Sequence, residues 1–343
     1  MNNDVKDPSS GNDPKSKALL LFAMIAVVAA FTAFSANAAM YFPMIVSAAA
    51  IAFTADVLKS PLFVLVAAVA AFGTSYLVAR DLSVAVQNAL TPLIIGTFCV
   101  LCRRKKLGLY KSSLVLGGAV FALSASFLAI YILRVYGSLI DGAKTAFSGV
   151  YENTVAQIKN YLSAAGEAGV TVAENEIREL TSLTATLLPG LAAAALQLSG
   201  VAVYLITKLY YRLFGQKTAG VKGEYGIPES AVIFFAFSVL LSLVFSLFKG
   251  LKVAHLTALN LCITLAVPTL LDGGRRIVSR FRNPPKAALP DGTVVSRPPI
   301  FLIALLALSL FLSVVGPIVI LAVYSVTGTV RDIAARSSEK KED

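Results

Sequence analysis

The sequence predicts an all-α fold: a polytopic transmembrane helix bundle of eight or nine spans with one external amphipathic helical segment. Three observations carry that expectation. Of the 343 residues, 57% are hydrophobic and only 14% charged, whereas a soluble domain devotes roughly a quarter of its residues to charge. The apolar residues fall in runs near the ~20 residues an α-helix needs to cross a ~30 Å hydrocarbon core with every backbone group paired internally. The lysines and arginines collect in loops separated by pairs of such runs.

In chain order the runs are 18–36, 40–54, 61–78, 84–101, 114–133, 187–209, 231–247, 253–271 and 300–323. The second is short and contains Pro43; a re-entrant or interfacial segment is its alternative, which leaves eight spans. The first is followed by "SANA", a small-residue pattern of secretory cleavage sites, but it exceeds the ~7 to 15 residues of a signal-peptide apolar region. The acids in "MNNDVKDPSSGNDPK" also depart from a basic leader, so it reads as a first span after a disordered tail.

The expected organisation is a cytoplasmic tail (1–17), an N-terminal transmembrane bundle (18–136), an external helical segment (137–182), a C-terminal transmembrane bundle (183–324) and a polar tail (325–343). Within the external segment Val155, Ile158 and Leu162 repeat helically, which fits an amphipathic helix serving as connection, lid or partner surface.

Loops 103–111 ("RRKKLGLYK"), 208–229 and 273–298 ("GGRRIVSRFRNPPK") are basic and expected on the cytoplasmic side. The formal net charge of +11 then reflects this bias and attraction to an anionic lipid bilayer, the expected partner, rather than a nucleic-acid footprint. The tail "RDIAARSSEKKED" is charge-balanced and does not fix its side. With nine spans the C-terminus lies outside; with eight, one end switches.

The chain has no G-x-x-x-x-G-K-[ST] loop, and "GQKTAG" has the wrong order. Its single histidine supports neither a His-based zinc site nor more than one member of a Ser-His-Asp triad. No catalysis, metal or cofactor is expected, and any ATP dependence would need a partner. Asp56, Asp81, Asp141 and Asp272 fall at span ends; proton- and sodium-coupled carriers keep a carboxylate at depth. Cys99 and Cys102 form a C-x-x-C at a span end without a second pair, and Cys262 stands apart. Inert thiols are expected, with lipidation beside the basic cluster as the alternative.

Helices in lipid associate through small residues and interhelical hydrogen bonds. Ala26 with Ala30, and Gly118 with Ala122, are spaced for helix-packing or partner faces. Gly190, Ala194, Gln197, Gly200, Tyr204, Lys208 and Tyr211 share one helical face. Pro92 and Pro268 are expected helix breaks that free the carbonyls of Asn88 and Thr264, and broken helices often build transporter sites. Thr257, Asn260, Thr264 and Pro268 form a stripe expected to face inward, with His255 about 200° from Thr257 near the outer end. The candidate solute pathway is therefore Asn88, Gln197, Tyr204, Asn260 and Thr264, with helix packing as the plainer reading.

The order of parts, from "LLPGLAAAALQLSGVAVYLITKLYYRLF" through "GIPES" to "LNLCITLAVPTLLDGGRRIVSRF", resembles the YybS-like family of predicted bacterial membrane proteins over about 17–330. Pro189, Pro228, Asn260 and the glycines of "LLDGG" match as landmarks; Asp272 stands where the family pattern has Gln. The resemblance implies a bacterial cytoplasmic membrane protein of unestablished function. The front half is similar to the substrate-capture subunits of energy-coupling-factor vitamin transporters, where an Ala-x-x-x-Ala face docks a membrane subunit; Ala26 and Ala30 would fill that place. The leading expectation is capture or transport of a small solute of unknown identity without intrinsic ATPase activity. The alternatives are a non-transporting scaffold or regulator of a membrane assembly, and a permease similar to the autoinducer-exporter family.

Overall fold

A computed structural model describes residues 14–38, 41–59, 61–164, 174–214, 227–284, 286–288, 294–296, 304 and 315–342. Ten helices run through them: α1 (Pro14–Ala38), α2 (Tyr41–Leu58), α3 (Pro61–Ala79), α4 (Leu82–Arg104), α5 (Leu109–Tyr136), α6 (Leu139–Ala164), α7 (Glu174–Leu213), α8 (Glu229–Ser246), α9 (Lys252–Arg282) and α10 (Val315–Glu342). A small antiparallel ribbon, β1 (Lys286–Ala288) with β2 (Val294–Ser296), lies in what the sequence presents as a basic loop. Among the described residues eight helices are long and apolar enough to cross a membrane, namely α1, α3, α4, α5, α7, α8, α9 and α10, and α2 is a shorter apolar helix. The expected helical membrane bundle is therefore observed.

The chain divides into two compact units, Met1–Ala146 with Leu196–Glu224, and Phe147–Ala195 with Tyr225–Asp343. The boundaries fall inside α6 and α7, so the division does not follow chain order. The C-terminal half of α7 belongs with the N-terminal helices because glycines bring it against α5. A Cβ on Gly117 would lie 2.7 Å from the Leu196 carbonyl oxygen, and one on Gly200 would meet the Ser113 carbonyl.

In the first unit α2 is the core. Residues 48 to 54, AAAIAFT, are all buried, and the small side chains let α4 approach until Gly96 touches the Ala48 carbonyl and Ile51. Gly96 beside Ala48 and Arg103 beside Asp56 mean that α2 and α4 run in the same direction. The Thr32 and Thr74 hydroxyls are 3.1 Å apart and Ser75 donates to the Thr32 carbonyl, which joins α1 to α3. Because α3 leads from the end of α2 back to the start of α4, it must return through the unit alongside α2. The 18 residues of α2 rise ~27 Å, near the ~30 Å of hydrocarbon. Beside the eight longer apolar helices α2 is the shorter one, and its small alanines make it the packed centre of the unit.

The expected external amphipathic segment contains α6, and α5 reaches it through Gly137, whose φ of +71° closes the helix with its N–H on the Leu133 carbonyl. At 40 residues α7 is ~60 Å long, and its apolar window begins only at Thr186. The side chains of Val155, Ile158 and Leu162 lie outside the described residues.

In the second unit α8 and α9 form a hairpin through a short 3-10 turn, Lys249–Leu251. His255 is part of that hairpin: its Nδ1–H donates to the Ser242 carbonyl at 2.8 Å. The polar tail expected from 325 onward is the continuation of α10. Residues 1–13, 301–303 and 305–314 lie outside the described residues, and with them most of the run 300–323.

Candidate functional site

The buried arc of α4 is Ala85, Asn88, Ala89, Pro92, Ile95, Gly96 and Cys99, a face set by spacings of three and four. Among these Asn88 is distinctive. Its side chain is 2% exposed, and its Nδ2 makes no hydrogen bond among the described residues. A carboxamide nitrogen carries two donors, and leaving a buried donor unmade costs about 1–3 kcal/mol. Four residues on, Pro92 stands inside the continuous helix and supplies no N–H to the Asn88 carbonyl. One residue thus combines an unpaired donor with a carbonyl released from the helix ladder.

Gln197 and Tyr204 lie in the same unit on the inward face of α7. None of Gly190, Ala194, Gln197, Gly200, Tyr204, Lys208 and Tyr211 is exposed, while Leu198, Leu205 and Leu209 are. The expected face is real, and both Gln197 and Tyr204 take part in interactions within the chain.

Where that face of α7 ends, Tyr211, Asp56 and Arg103 form a cluster. The Tyr211 hydroxyl donates to Asp56 Oδ2, Arg103 Nε donates to the same oxygen at 3.4 Å, and the guanidinium lies 3.9 Å from the Tyr211 ring centroid. Phe53 packs edge-on against Tyr211 at 4.9 Å. This cluster brings the C-terminal ends of α2, α4 and α7 to one end of the unit. Cys99 and Cys102 are buried free thiols, and Cys99 Sγ is 3.6 Å from Thr207 Oγ1.

Asn260 belongs to the second unit and is fully engaged. Its Oδ1 accepts from the Gly190 N–H at 2.9 Å, and its Nδ2 donates to the carbonyls of Thr186 at 2.8 Å and Leu256 at 3.1 Å. Gly190 and Thr186 are the two ends of one i to i−4 helical pair, next to Pro189 within α7. The amide of Asn260 therefore splices into α7 where proline disturbs it, and Gly190 has no side chain because a Cβ would sit 2.7 Å from Asn260 Oδ1. Thr264 donates to the Asn260 carbonyl at 2.9 Å. Pro268 is buried within α9, which like α4 at Pro92 continues through its proline, so the expected helix breaks are not seen at either position. The inward stripe begins only at Asn260: Thr257 is exposed and bonds back to the Val253 carbonyl, because it lies before the helix reaches α7.

The expected small-residue packing faces are also displaced. Ala26, Ala30, Gly118 and Ala122 are all exposed, and a Cβ on Gly118 would meet nothing within 4 Å. Within the chain α1 packs through Met24, Val28, Thr32 and Ser35, and α5 through Gly117, one residue and ~100° away from Gly118.

The sequence places Asp272 at a span end and assigns it no role. It is 3% exposed and accepts from Arg275 at 2.7 Å, Arg276 at 2.6 Å and Ser325 at 2.8 Å. Arg276 continues to Asp332 at 2.8 Å and Thr329 at 3.1 Å. Gly273 admits the backbone of α10 at Leu321, which lets the carboxylate reach Ser325. The signal was the "DGGRR" spacing itself, since arginines three and four residues after an acid share its helical face. Arg336 pairs with Glu229, so the start of α8, the end of α9 and the C-terminal half of α10 meet at one end of this unit.

Residues 23–284 match the model of a family described as Predicted membrane protein (DUF2232). No curated protein and no solved structure matches the chain.

Proposed function

The chain belongs to the predicted membrane protein family DUF2232, and from the chemistry at Asn88 we propose that it captures or transports a small polar solute. It does so as a YybS-like protein of a bacterial cytoplasmic membrane, without ATPase or other catalytic activity of its own. The observation that carries this reading is Asn88, whose buried Nδ2 is left without a partner beside a proline-released carbonyl. A buried polar group unpaired within the chain is retained at a cost in stability, and a solute offering an acceptor and a donor would meet both groups. Gln197 and Tyr204, on the inward face of α7, complete the polar lining in this reading. Asn260 and Thr264, spent on backbone bonds within the second unit, have a structural role in this reading.

Loops 103–111, 208–229 and 273–298 face the cytoplasm in this reading, by the retention of basic residues there. The test is a thermal-stability screen of the purified protein and its Asn88→Leu variant against small polar metabolites. The reading predicts compounds that stabilise the wild type and leave the variant unmoved. Identical responses in both proteins would remove its basis.

A second reading, a scaffold or coupling partner of other membrane subunits, is favoured by one observation. Ala26, Ala30, Gly118 and Ala122 leave small-residue faces exposed, and such faces allow close helix approach in lipid. Crosslinking from cysteines placed at Ala26 and Gly118 tests it; absence of any adduct in native membranes would count against it.

A further inference from the structure

The groove between the end of α9 and the middle of α10 has a volume of about 730 Å³ and is lined by Arg275, Arg276, Arg280, Tyr324, Arg331 and Asp332, among others. Four arginines and one carboxylate, Asp332, line it, and the buried Asp272 holds two of those arginines from behind. The arginines are not equivalent. Arg276 is held on Asp272, Asp332 and Thr329, and Arg275 on Asp272. Arg280 and Arg331 have no carboxylate partner among the described residues. The Arg280 guanidinium lies over the Tyr324 ring at 5.0 Å; the ring takes a face of the planar group, which leaves its N–H edge free to donate.

We infer that this groove binds a phosphate group, that of an anionic phospholipid headgroup. A planar guanidinium fixed on a ring matches two phosphate oxygens at once, and Arg331 supplies a second cation across the groove. The lipid source follows from the groove's surroundings: both helices are apolar enough to span a membrane, and Val278, Phe281 and Val323 beside it are exposed, a surface suited to acyl chains. Basic pockets at the ends of membrane helices take such headgroups. This inference concerns the second unit only and is independent of the reading of Asn88.

The test uses the full chain, delipidated in a neutral detergent, titrated separately with phosphatidylglycerol, with phosphatidylcholine and with inorganic pyrophosphate while thermal stability is followed. Wild type is compared with an Arg280→Gln/Arg331→Gln variant and with Arg336→Gln, whose arginine lies outside the groove. Neither Arg280 nor Arg331 holds a carboxylate, so their neutralisation strands no buried acceptor and folding should survive; an Arg280→Lys/Arg331→Lys variant keeps the charge in case it does not. The expected result is stabilisation by phosphatidylglycerol over phosphatidylcholine, at least about tenfold weaker in the double glutamine variant and unchanged in Arg336→Gln. Arginine-dependent stabilisation by pyrophosphate but not by phosphatidylglycerol would keep the phosphate site and overturn the lipid assignment. Equal responses of wild type and the double glutamine variant would overturn the site.

Discussion

Replacing Asn260 by alanine removes three hydrogen bonds, but only two of them join helices. The Leu256 carbonyl lies one turn back on α9, whereas Gly190 N–H and the Thr186 carbonyl on α7 lose their interhelical partner. Interhelical hydrogen bonds in membrane proteins average about 0.6 kcal/mol and reach about 1.7, so the loss should be about 1–3 kcal/mol. Gly190→Ala attacks the same contact from the other side. Its Cβ would lie 2.7 Å from Asn260 Oδ1 and 2.8 Å from the Asn260 carbonyl oxygen, and overpacking of this kind costs about 1–3 kcal/mol. In the double variant the side-chain clash disappears while the clash with the backbone carbonyl stays. The two effects should therefore be less than additive by at least about 0.5 kcal/mol, as expected of residues in direct contact. Reversible unfolding of the purified protein in mixed micelles, through a full double-mutant cycle, measures this. An Asn260→Ala variant within about 0.5 kcal/mol of wild type, together with strict additivity, would refute the splice. It would mean that Gly190 and Thr186 close their own helical bond when the amide is gone.

Other substitutions separate packing from exposure. Gly117→Ala should destabilise by at least about 1 kcal/mol, because its Cβ meets the Leu196 carbonyl at 2.7 Å, while Gly118→Ala, with nothing within 4 Å, should be neutral or slightly stabilising in the same unfolding assay. Asp272→Ala should cost about 1–3 kcal/mol, since it leaves half-buried Arg276 with Asp332 as its remaining carboxylate and removes the acceptor of the buried Ser325 hydroxyl. Glu229→Gln, which breaks an exposed pair with Arg336, should cost under about 1 kcal/mol and matter less as salt is added. Reporter fusions after Arg282 and after Ser338 should report the same side of the membrane, because Arg276 meets Asp332 and Arg336 meets Glu229; opposite sides would contradict the placement of α10.

Much of the membrane bundle was legible in the sequence because it rests on length, hydropathy and the three-and-four spacing of helical faces. The inward face of α7 could be read residue by residue from Gly190 to Tyr211. Which face a small-residue stripe presents could not, since Gly117 and Gly118 are equally small and only the neighbour distinguishes them. The role of α2 was hidden because its apolar run is short and contains Pro43, and only the burial of its alanine-rich centre shows that the other helices pack against it. Asn260 and Asn88 look alike in sequence, each near a proline at helical spacing. Only the structure separates an amide that is fully bonded to backbone from one that is not. Asp272 could have been paired from "DGGRR", but its burial depends on Gly273 admitting α10, a long-range contact no local spacing reveals.

The role of Asn88 is the point on which the functional account turns, and leucine is its near-isosteric apolar replacement. Because Nδ2 has no partner to lose among the described residues, Asn88→Leu should leave the solute-free protein as stable as wild type or more so. At the same time it should abolish the stabilisation that polar metabolites give the wild type. Thermal unfolding of both proteins across one metabolite panel measures the two effects together. A variant destabilised by more than about 1 kcal/mol with an unchanged metabolite response would contradict the account, since Asn88 would then be a structural residue and the solute site would lie elsewhere.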